Sequence, residues 1–231
     1  MNTQYPIRER TSEARITRRW EIWRSAAPLF DREGYRGVSI EQLAHASALS
    51  PAGLYHYFPG KAAIALFPLS HANGLCRRWD ALAAALPRDP FVRLHALISF
   101  AVNFADPWRL ALDMAGQMAA DPLTAGPAAR LLAEARRDFA EIAESVDPTI
   151  TSTDVGDLYE TFVGILVTDL PGFDRSPDSL RRRLTDAVRG WLTRRGADPQ
   201  RFDGAGGGQR LTNYERTPTS TGAGTASAGP L

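Results

Sequence analysis

Cysteine and long apolar runs are scarce in this chain of 231 residues. Its one cysteine, Cys76, excludes a disulfide framework and a cysteine-based zinc site. Charged residues interrupt the apolar runs well short of the roughly 20 residues that a membrane-spanning helix needs. The N-terminal segment is polar and contains no apolar core of a signal peptide, so we expect no secretory signal. The composition predicts a soluble, cytoplasmic protein without a membrane partner.

Motifs of catalysis and cofactor binding are missing as well. The sequence contains no G-x-S-x-G, H-E-x-x-H or G-x-G-x-x-G. The segment from Gly53 to Lys61 resembles a phosphate-binding loop, but its glycines stand too far apart and Ala62 replaces the hydroxyl residue that would hold magnesium. The histidines lack metal-ligand spacing. We therefore expect no enzymatic activity, no cofactor and no metal site.

A helical pattern runs through the chain instead. Segments with apolar side chains spaced near 3.6 residues are separated by glycine, proline and Asp-Pro steps. Asp or Ser directly before Pro marks a helix start, because the polar residue caps the first turn and proline suits the first helical position. No stretch has the alternating, β-branched character of a strand. The pattern predicts an all-α fold of about nine helices.

Two short helical segments near the N-terminus carry the functional signal. A capping box at Ser39 opens the first, and Ser50-Pro51 opens the second after a three-residue turn. Helices of about seven residues are not stable alone. A helix-turn-helix explains them, because one helix braces against the DNA backbone while the next enters the major groove. The helix predicted over residues 15–33, ending at Gly34, would support both, and residues 1–61 carry a net positive charge.

At these residues the sequence resembles the TetR family of bacterial transcription regulators. Leu-Tyr-x-x-Phe-x-x-Lys after a helix-turn-helix is a specific pattern. The matching positions are Ala26-Ala27-x-Leu29-Phe30, Gly34-Tyr35, Ser39-Ile40-x-x-Leu43-Ala44 and the run LSPAGLYHYFPGK from Leu49 to Lys61. Ala48 departs from the family, which usually has glycine in the turn. A left-handed backbone there would cost alanine about 1–2 kcal/mol.

The resemblance implies DNA-contacting residues on and around the second short helix. Ser50 would cap this recognition helix, whose first N–H groups suit a phosphate, and Tyr55 and Lys61 correspond to phosphate contacts of the family. Tyr57 is either a further contact or packing. The predicted DNA-binding set is Ser39, Ser50, Pro51, Ala52, Gly53, Tyr55, His56, Tyr57 and Lys61. The basic residues Arg15, Arg18 and Arg19 either grip the flanking DNA backbone or form a solvated helix face.

Apolar side chains from Ile64 to Trp79 predict one long helix that begins at Lys61. This helix and those after it match the family only in number and length. The resemblance implies that they enclose an effector pocket, whose apolar lining favours a largely apolar or aromatic small molecule. The predicted ligand-binding residues are Trp79, Phe104, Trp108 and Met118, with ordinary core packing as the alternative. Apolar stripes over residues 155–195 predict a homodimer interface, although burial within one chain would also explain them.

Together these features predict four regions. They are a flexible N-terminal arm (residues 1–14), a helix-turn-helix DNA-binding domain (15–61), a helical effector-binding and dimerisation domain (62–196) and a disordered Gly-rich tail (197–231). The expected function is sequence-specific regulation of transcription by a repressor that a small, largely apolar ligand releases from a palindromic operator on double-stranded DNA. The alternative is a helical small-molecule-binding protein or enzyme with a vestigial DNA-binding motif.

Overall fold

A computed structural model describes residues 5–70, 73–147, 149–168 and 173–206, with the backbone alone for residues 5–12. All regular elements in these ranges are helical, which confirms the predicted all-α class. None of the described helices is both long and apolar enough to cross a membrane. The helices are α1 (Tyr5–Gly37), α2 (Ile40–Ala46), α3 (Pro51–Tyr57), α4 (Lys61–Ala65), α5 (Leu75–Ala85), α6 (Pro90–Val102), α7 (Ala105–Ala119), α8 (Pro122–Val146), α9 (Ser152–Val167), α10 (Pro177–Arg194) and α11 (Pro199–Ala205).

The described ranges thus contain eleven α-helices where the sequence predicts about nine. One difference is that the long helix expected to begin at Lys61 is divided. Helix α4 ends at Ala65, a 3₁₀ turn follows at Phe67–Leu69, and α5 begins only after Gly74. Proline in the 3₁₀ turn removes a helical donor, and Gly74 has a left-handed φ of 79°. The expectation of one continuous helix is therefore wrong.

Both terminal segments contain helix that the sequence did not predict. Helix α1 extends back to Tyr5, so residues 5–14 of the expected flexible arm are helical. The expectation of a disordered tail is wrong for α11, because Phe202 is fully buried there. Its ring stacks on His95 with centroids 4.1 Å apart, and its carbonyl oxygen lies 2.9 Å from His95 Nε2. The rest of the expected tail, from residue 207, lies outside the described residues.

The buried side chains form two clusters. The N-terminal cluster joins α1, α2 and α3 to α4 and α7, and its aromatic members are Trp20, Trp23, Phe30, Tyr35, Phe58, Phe67 and Phe104. The C-terminal cluster joins α5 and α6 to α8, α9, α10 and α11, and its largest members are Trp79, Phe139, Phe162, Trp191 and Phe202. Phe100 and Trp108 pack against both clusters. The three helices of the helix-turn-helix therefore share one core with α7, which lies far along the chain.

Truncating Phe202 tests whether α11 belongs to the folded core. We expect Phe202→Ala to lower the free energy of unfolding by about 3–5 kcal/mol, because a fully buried aromatic ring leaves both its transfer energy and a cavity. Equilibrium urea unfolding measures this loss. The exposed substitution Gln200→Ala in the same helix is the control and should change stability by less than about 0.5 kcal/mol. Equal effects of the two substitutions would show that α11 does not contribute to the core.

Candidate nucleic-acid interface

The turn between α2 and α3 is a Schellman motif. Ser39 caps the start of α2 in a complete capping box with Gln42. At the other end, the N–H of Leu49 donates to the carbonyl of Ala44 at 2.9 Å, and the N–H of Ala48 donates to that of His45 at 3.1 Å. Ala48 has a φ of 53°, the left-handed conformation in which alanine is strained. The turn thus adopts the left-handed geometry that glycine favours, although residue 48 is alanine.

Helix α3 has one buried face and one exposed face. Ser50 caps its first turn by accepting the N–H of Gly53, and Pro51 occupies a first-turn position. Leu54 and the following Phe58 are each 1% exposed and anchor the helix in the N-terminal cluster. The exposed face consists of Pro51, Ala52, Tyr55 and His56, and Tyr55 is 53% exposed. Four of the sequence-predicted DNA contacts therefore share one solvent-facing surface, with Gly53 and Tyr57 half-buried at its sides.

Three arginines of α1 hold the ends of the two short helices. Arg15 donates to the carbonyl of His56 at 3.0 Å, and Arg19 donates to that of Tyr57 at 2.9 Å. Arg18 reaches the carbonyl of Ser47 at 3.3 Å. The final carbonyls of a helix lack partners within it and carry partial negative charge, which a cation stabilises. Each guanidinium therefore has a partner within the protein, and its remaining donors leave both expectations for these arginines open.

Arg19 is the most enclosed of the three. Its guanidinium carbon lies 5.0 Å from the ring centroid of Phe58 and 5.8 Å from that of Phe67. Burial, and then the nearby charge of Arg15, lower the pKa of Arg19, although a guanidinium remains charged at neutral pH. The side chain therefore joins α1 to the C-terminal end of α3 by a hydrogen bond and by cation–π contacts.

Lys61, the chain's one lysine, lies where α4 meets the start of α2. Its Nζ donates to the carbonyl oxygen of Val38 at 2.8 Å and lies 4.5 Å from the ring centroid of Tyr35. Burial lowers the pKa of this half-buried ammonium group. An ammonium group has three donors, and Val38 takes one of them. Because Val38 directly precedes Ser39, Lys61 lies beside the N-terminus of α2.

The sequence of this helix-turn-helix matches a known family. Residues 22–66 match the model of the bacterial regulatory proteins of the tetR family. The chain carries a TetR-family DNA-binding domain. This domain supports DNA-binding regulation as the function of the chain. No curated protein sequence matches the chain significantly.

Solved structures of TetR-family regulators resemble the chain at low identity. PfmR from Thermus thermophilus is 21% identical, and the match covers 73% of this chain and 97% of PfmR with a TM-score of 0.46. A putative TetR-family regulator from Mesorhizobium loti is 16% identical, with coverages of 76% and 95% and a TM-score of 0.48. AibR, solved with isovaleryl coenzyme A and operator DNA, is 15% identical, with coverages of 71% and 94% and a TM-score of 0.44. The family assignment rests on residues 22–66.

The four predicted effector contacts are divided between the two clusters. Trp79 is fully buried in the C-terminal cluster, where its Nε1 donates to Ser145 Oγ at 2.7 Å. Phe104 and Met118 are buried in the N-terminal cluster. Trp108 is half-buried at the border, and its Nε1 is buried with no hydrogen-bond partner among the described residues.

A cavity of about 240 Å³ lies elsewhere, between the start of α6 and the end of α10. Its lining residues include Phe91, Leu94, Ile150, Trp191 and Arg195. The four predicted effector contacts are not among its lining residues. The structure therefore does not gather those four residues around this cavity. Sequence periodicity gave no signal for it, because its walls come from three separate parts of the chain.

One cluster of potential metal ligands appears that the sequence spacing did not indicate. The ligand atoms of Cys76, Asp138 and Glu141 all lie within 4.8 Å of one another. Burial, and then the charges of these and other carboxylates, raise the pKa of the Cys76 thiol to about 12. Clusters of acidic side chains are common without an ion, and we assign no metal to this one.

The apolar stripes predicted as a dimer interface serve the chain's own core. In α9, Leu158, Phe162 and Leu166 are at most 1% exposed, and in α10 Leu184 and Val188 are fully buried. All of them belong to the C-terminal cluster. Burial within one chain, the alternative considered from the sequence, accounts for these five residues, and the homodimer stays a prediction.

The strained turn provides a direct test of the helix-turn-helix geometry. We expect Ala48→Gly to raise the free energy of unfolding by about 0.5–1 kcal/mol, because relief of left-handed strain exceeds the added entropy of the unfolded chain. Ala46→Gly, in the last turn of α2, is the matched control and should lower stability by a similar amount. Thermal unfolding of both variants compares them. A loss of stability in Ala48→Gly equal to that of the control would contradict the left-handed turn.

Proposed function

We propose that the chain is a homodimeric, cytoplasmic transcriptional repressor that binds a palindromic operator through α3 and is released by a small, largely apolar ligand. The observation that carries the DNA-binding part is the exposed face of α3. That face stands free while Leu54, Phe58 and the arginines of α1 fix the helix from behind. A helix presented in this way matches the docking of a recognition helix in the major groove.

The proposed DNA contacts are of two kinds: some position the protein on the phosphate backbone, and others recognise the bases. Tyr55 and Lys61 meet phosphates, and the N-termini of α2 and α3, with Ser39 and Ser50 as their caps, offer N–H groups to the DNA backbone. The reading surface is Pro51, Ala52 and His56. Apolar Pro51 and Ala52 suit thymine methyl groups, and His56 donates to a base edge or a phosphate. Gly53 permits close approach, and Tyr57, whose ring packs edge-on to His56, lies at the margin of the contact.

Substitution of Lys61 tests the phosphate contact. We expect Lys61→Ala to weaken binding to all duplex sequences alike and to flatten the plot of log Kd against log salt by about one unit, because one phosphate contact is lost. Lys61→Arg is the control and should keep the slope. Binding is measured by fluorescence anisotropy between about 50 and 200 mM salt. An unchanged slope in Lys61→Ala would remove Lys61 from the DNA contact.

The chemistry of the reading surface predicts how sequence is recognised. The exposed face of α3 holds no Arg, Asn or Gln, the side chains suited to bidentate base contacts. We expect selection from a pool of random duplexes to give a palindrome whose half-sites are specified by thymines and DNA shape rather than by guanines. Ala52→Gly in the same selection should relax the thymine preference. Strong guanine discrimination at the centre of each half-site would contradict this mode of reading.

The proposed dimer follows from the palindrome and uses a face that the core leaves open. Two recognition helices must be held about one helical turn, roughly 34–36 Å, apart. Along α9, Val163 and Val167, one helical turn apart, are only half-buried. Gly164 between them is exposed, and a Cβ placed there would meet no atom within 4 Å. Small and β-branched residues on an open helix face suit the packing of a second copy. Sedimentation of the wild type and of Gly164→Arg tests this interface.

The proposed ligand site is at Trp108. A buried indole N–H normally has a hydrogen-bond partner, but those of Trp23, Trp108 and Trp191 have none among the described residues. Of these three, Trp108 is the one that is a predicted effector contact and packs against both clusters, which supports a bound molecule there. A largely apolar ligand with one acceptor atom would satisfy its indole N–H. Thermal-shift screening against a metabolite panel identifies candidates, and Trp108→Phe should bind them more weakly. A ligand that binds at Trp108 and leaves DNA affinity unchanged would contradict the proposed release of the operator by a ligand at this site.

The functional division of the chain stays as proposed from the sequence, with residues 15–61 for DNA binding and residues 62–196 for the effector and the dimer. The shared N-terminal cluster supports a direct mechanical connection between them, since α7 packs in the same core as α1.

A further inference from the structure

A line of polar residues on α7 faces the end of α1. Arg109, Asp113, Gln117 and Asp121, four residues apart, follow one side of α7 as far as the cap of α8. Their partners on α1 are Asp31, Tyr35 and Arg36. Arg109 pairs with Asp31 at 3.3 Å, Gln117 accepts the N–H of Tyr35 at 2.8 Å, and Arg36 pairs with Asp121 at 3.7 Å. We call these contacts the α1–α7 seam.

The central contact of the α1–α7 seam depends on a break in α1. Gly34 has dihedral angles of 68° and 176°, which lie outside the helical region, and the N–H of Tyr35 donates to Gln117 Oε1. A Cβ on Gly34 would stand 2.9 Å from that oxygen, so the close approach also needs glycine. Gln117 is held in turn, because its Nε2 donates to Asp113 Oδ2 at 3.1 Å. The acceptor is therefore oriented toward Tyr35.

Tyr35 continues the chain of contacts to the DNA-binding surface. Its backbone is held by Gln117, and its buried ring lies under the ammonium group of Lys61. Lys61 also donates to the carbonyl of Val38, three residues beyond Tyr35. A shift of the Tyr35 backbone would thus displace both the ring and the carbonyl that fix the position of Lys61.

From this geometry we infer that Gln117 is a positioning residue for DNA binding, which acts through Tyr35 on Lys61. The inference rests on the proposed phosphate contact of Lys61 and extends it to a residue of α7. It also connects the proposed effector site to the DNA-binding surface. Trp108 lies on the same helix as Gln117, nine residues away, or about 13 Å along the axis. A ligand that displaces α7 at Trp108 therefore acts on the helix that holds Tyr35.

Removal of the acceptor tests the inference. We expect Gln117→Leu to weaken binding to a labelled mixed-sequence duplex of about 40 base pairs, long enough for two half-sites, by about 2- to 30-fold. We also expect it to flatten the salt dependence as Lys61→Ala does. The double variant Gln117→Glu with Asp113→Asn exchanges the amide and the acid between the two positions. It keeps an acceptor for the N–H of Tyr35 and a hydrogen bond between positions 113 and 117, and should recover the wild-type slope. Near-UV circular dichroism verifies the fold of each variant.

A double-mutant cycle identifies the path. If Gln117 acts through Lys61, Gln117→Leu should weaken binding by much less in the Lys61→Ala background than in the wild type. Tyr35→Phe, which keeps the ring and the N–H, should bind like the wild type, whereas Tyr35→Leu should resemble Gln117→Leu. Asp31→Ala removes another ion pair of the α1–α7 seam and should leave the salt slope unchanged.

The outcomes separate this inference from the proposed function. A flattened slope in Lys61→Ala together with a wild-type slope in Gln117→Leu would overturn only the positioning role of Gln117. Additive losses in the cycle would do the same. A wild-type slope in Lys61→Ala would overturn both the phosphate contact and the inference that depends on it.

Discussion

Support of two very short helices by α1 is the constraint on which the DNA-binding surface depends. Helices α2 and α3 have seven residues each and cannot hold their own orientation. Leu54 and Phe58 fix α3 through burial, whereas Arg15 and Arg19 fix its C-terminal end through hydrogen bonds to carbonyl groups. Apolar contacts resist separation of the helices, and the directional hydrogen bonds resist their rotation. The exposed face of α3 is therefore presented in one orientation.

The same core places the helix-turn-helix in contact with the rest of the chain. Phe104 and Met118 pack in the N-terminal cluster beside residues of α1, so α7 is structurally part of the DNA-binding unit. A continuous helix from Lys61 was the connection expected from the sequence, and the 3₁₀ turn and Gly74 replace it with three short segments. The α1–α7 seam is a shorter connection. It joins the two regions through side chains rather than through the covalent chain.

Features that depend on neighbouring residues were predictable. The capping box at Ser39, the Ser50-Pro51 helix start and the possibility of a left-handed Ala48 all follow from contacts within six residues, and the structure has each of them. The tail was not predictable from its composition. One aromatic residue, Phe202, anchors α11. The many glycines of the segment lower its average hydrophobicity, and this average does not show whether one aromatic side chain has a partner such as His95.

The sequence by itself determined the helical class, the positions of the caps and which face of α3 is exposed, because helix periodicity and capping are local properties of the chain. Only the tertiary structure decided the partners of the charged and polar side chains. Arg19 bonds to a residue 38 positions away and Tyr35 to one 82 positions away. A long polar side chain has several possible partners of equal chemistry, and the packing of α1 against α3 and α7 selects among them.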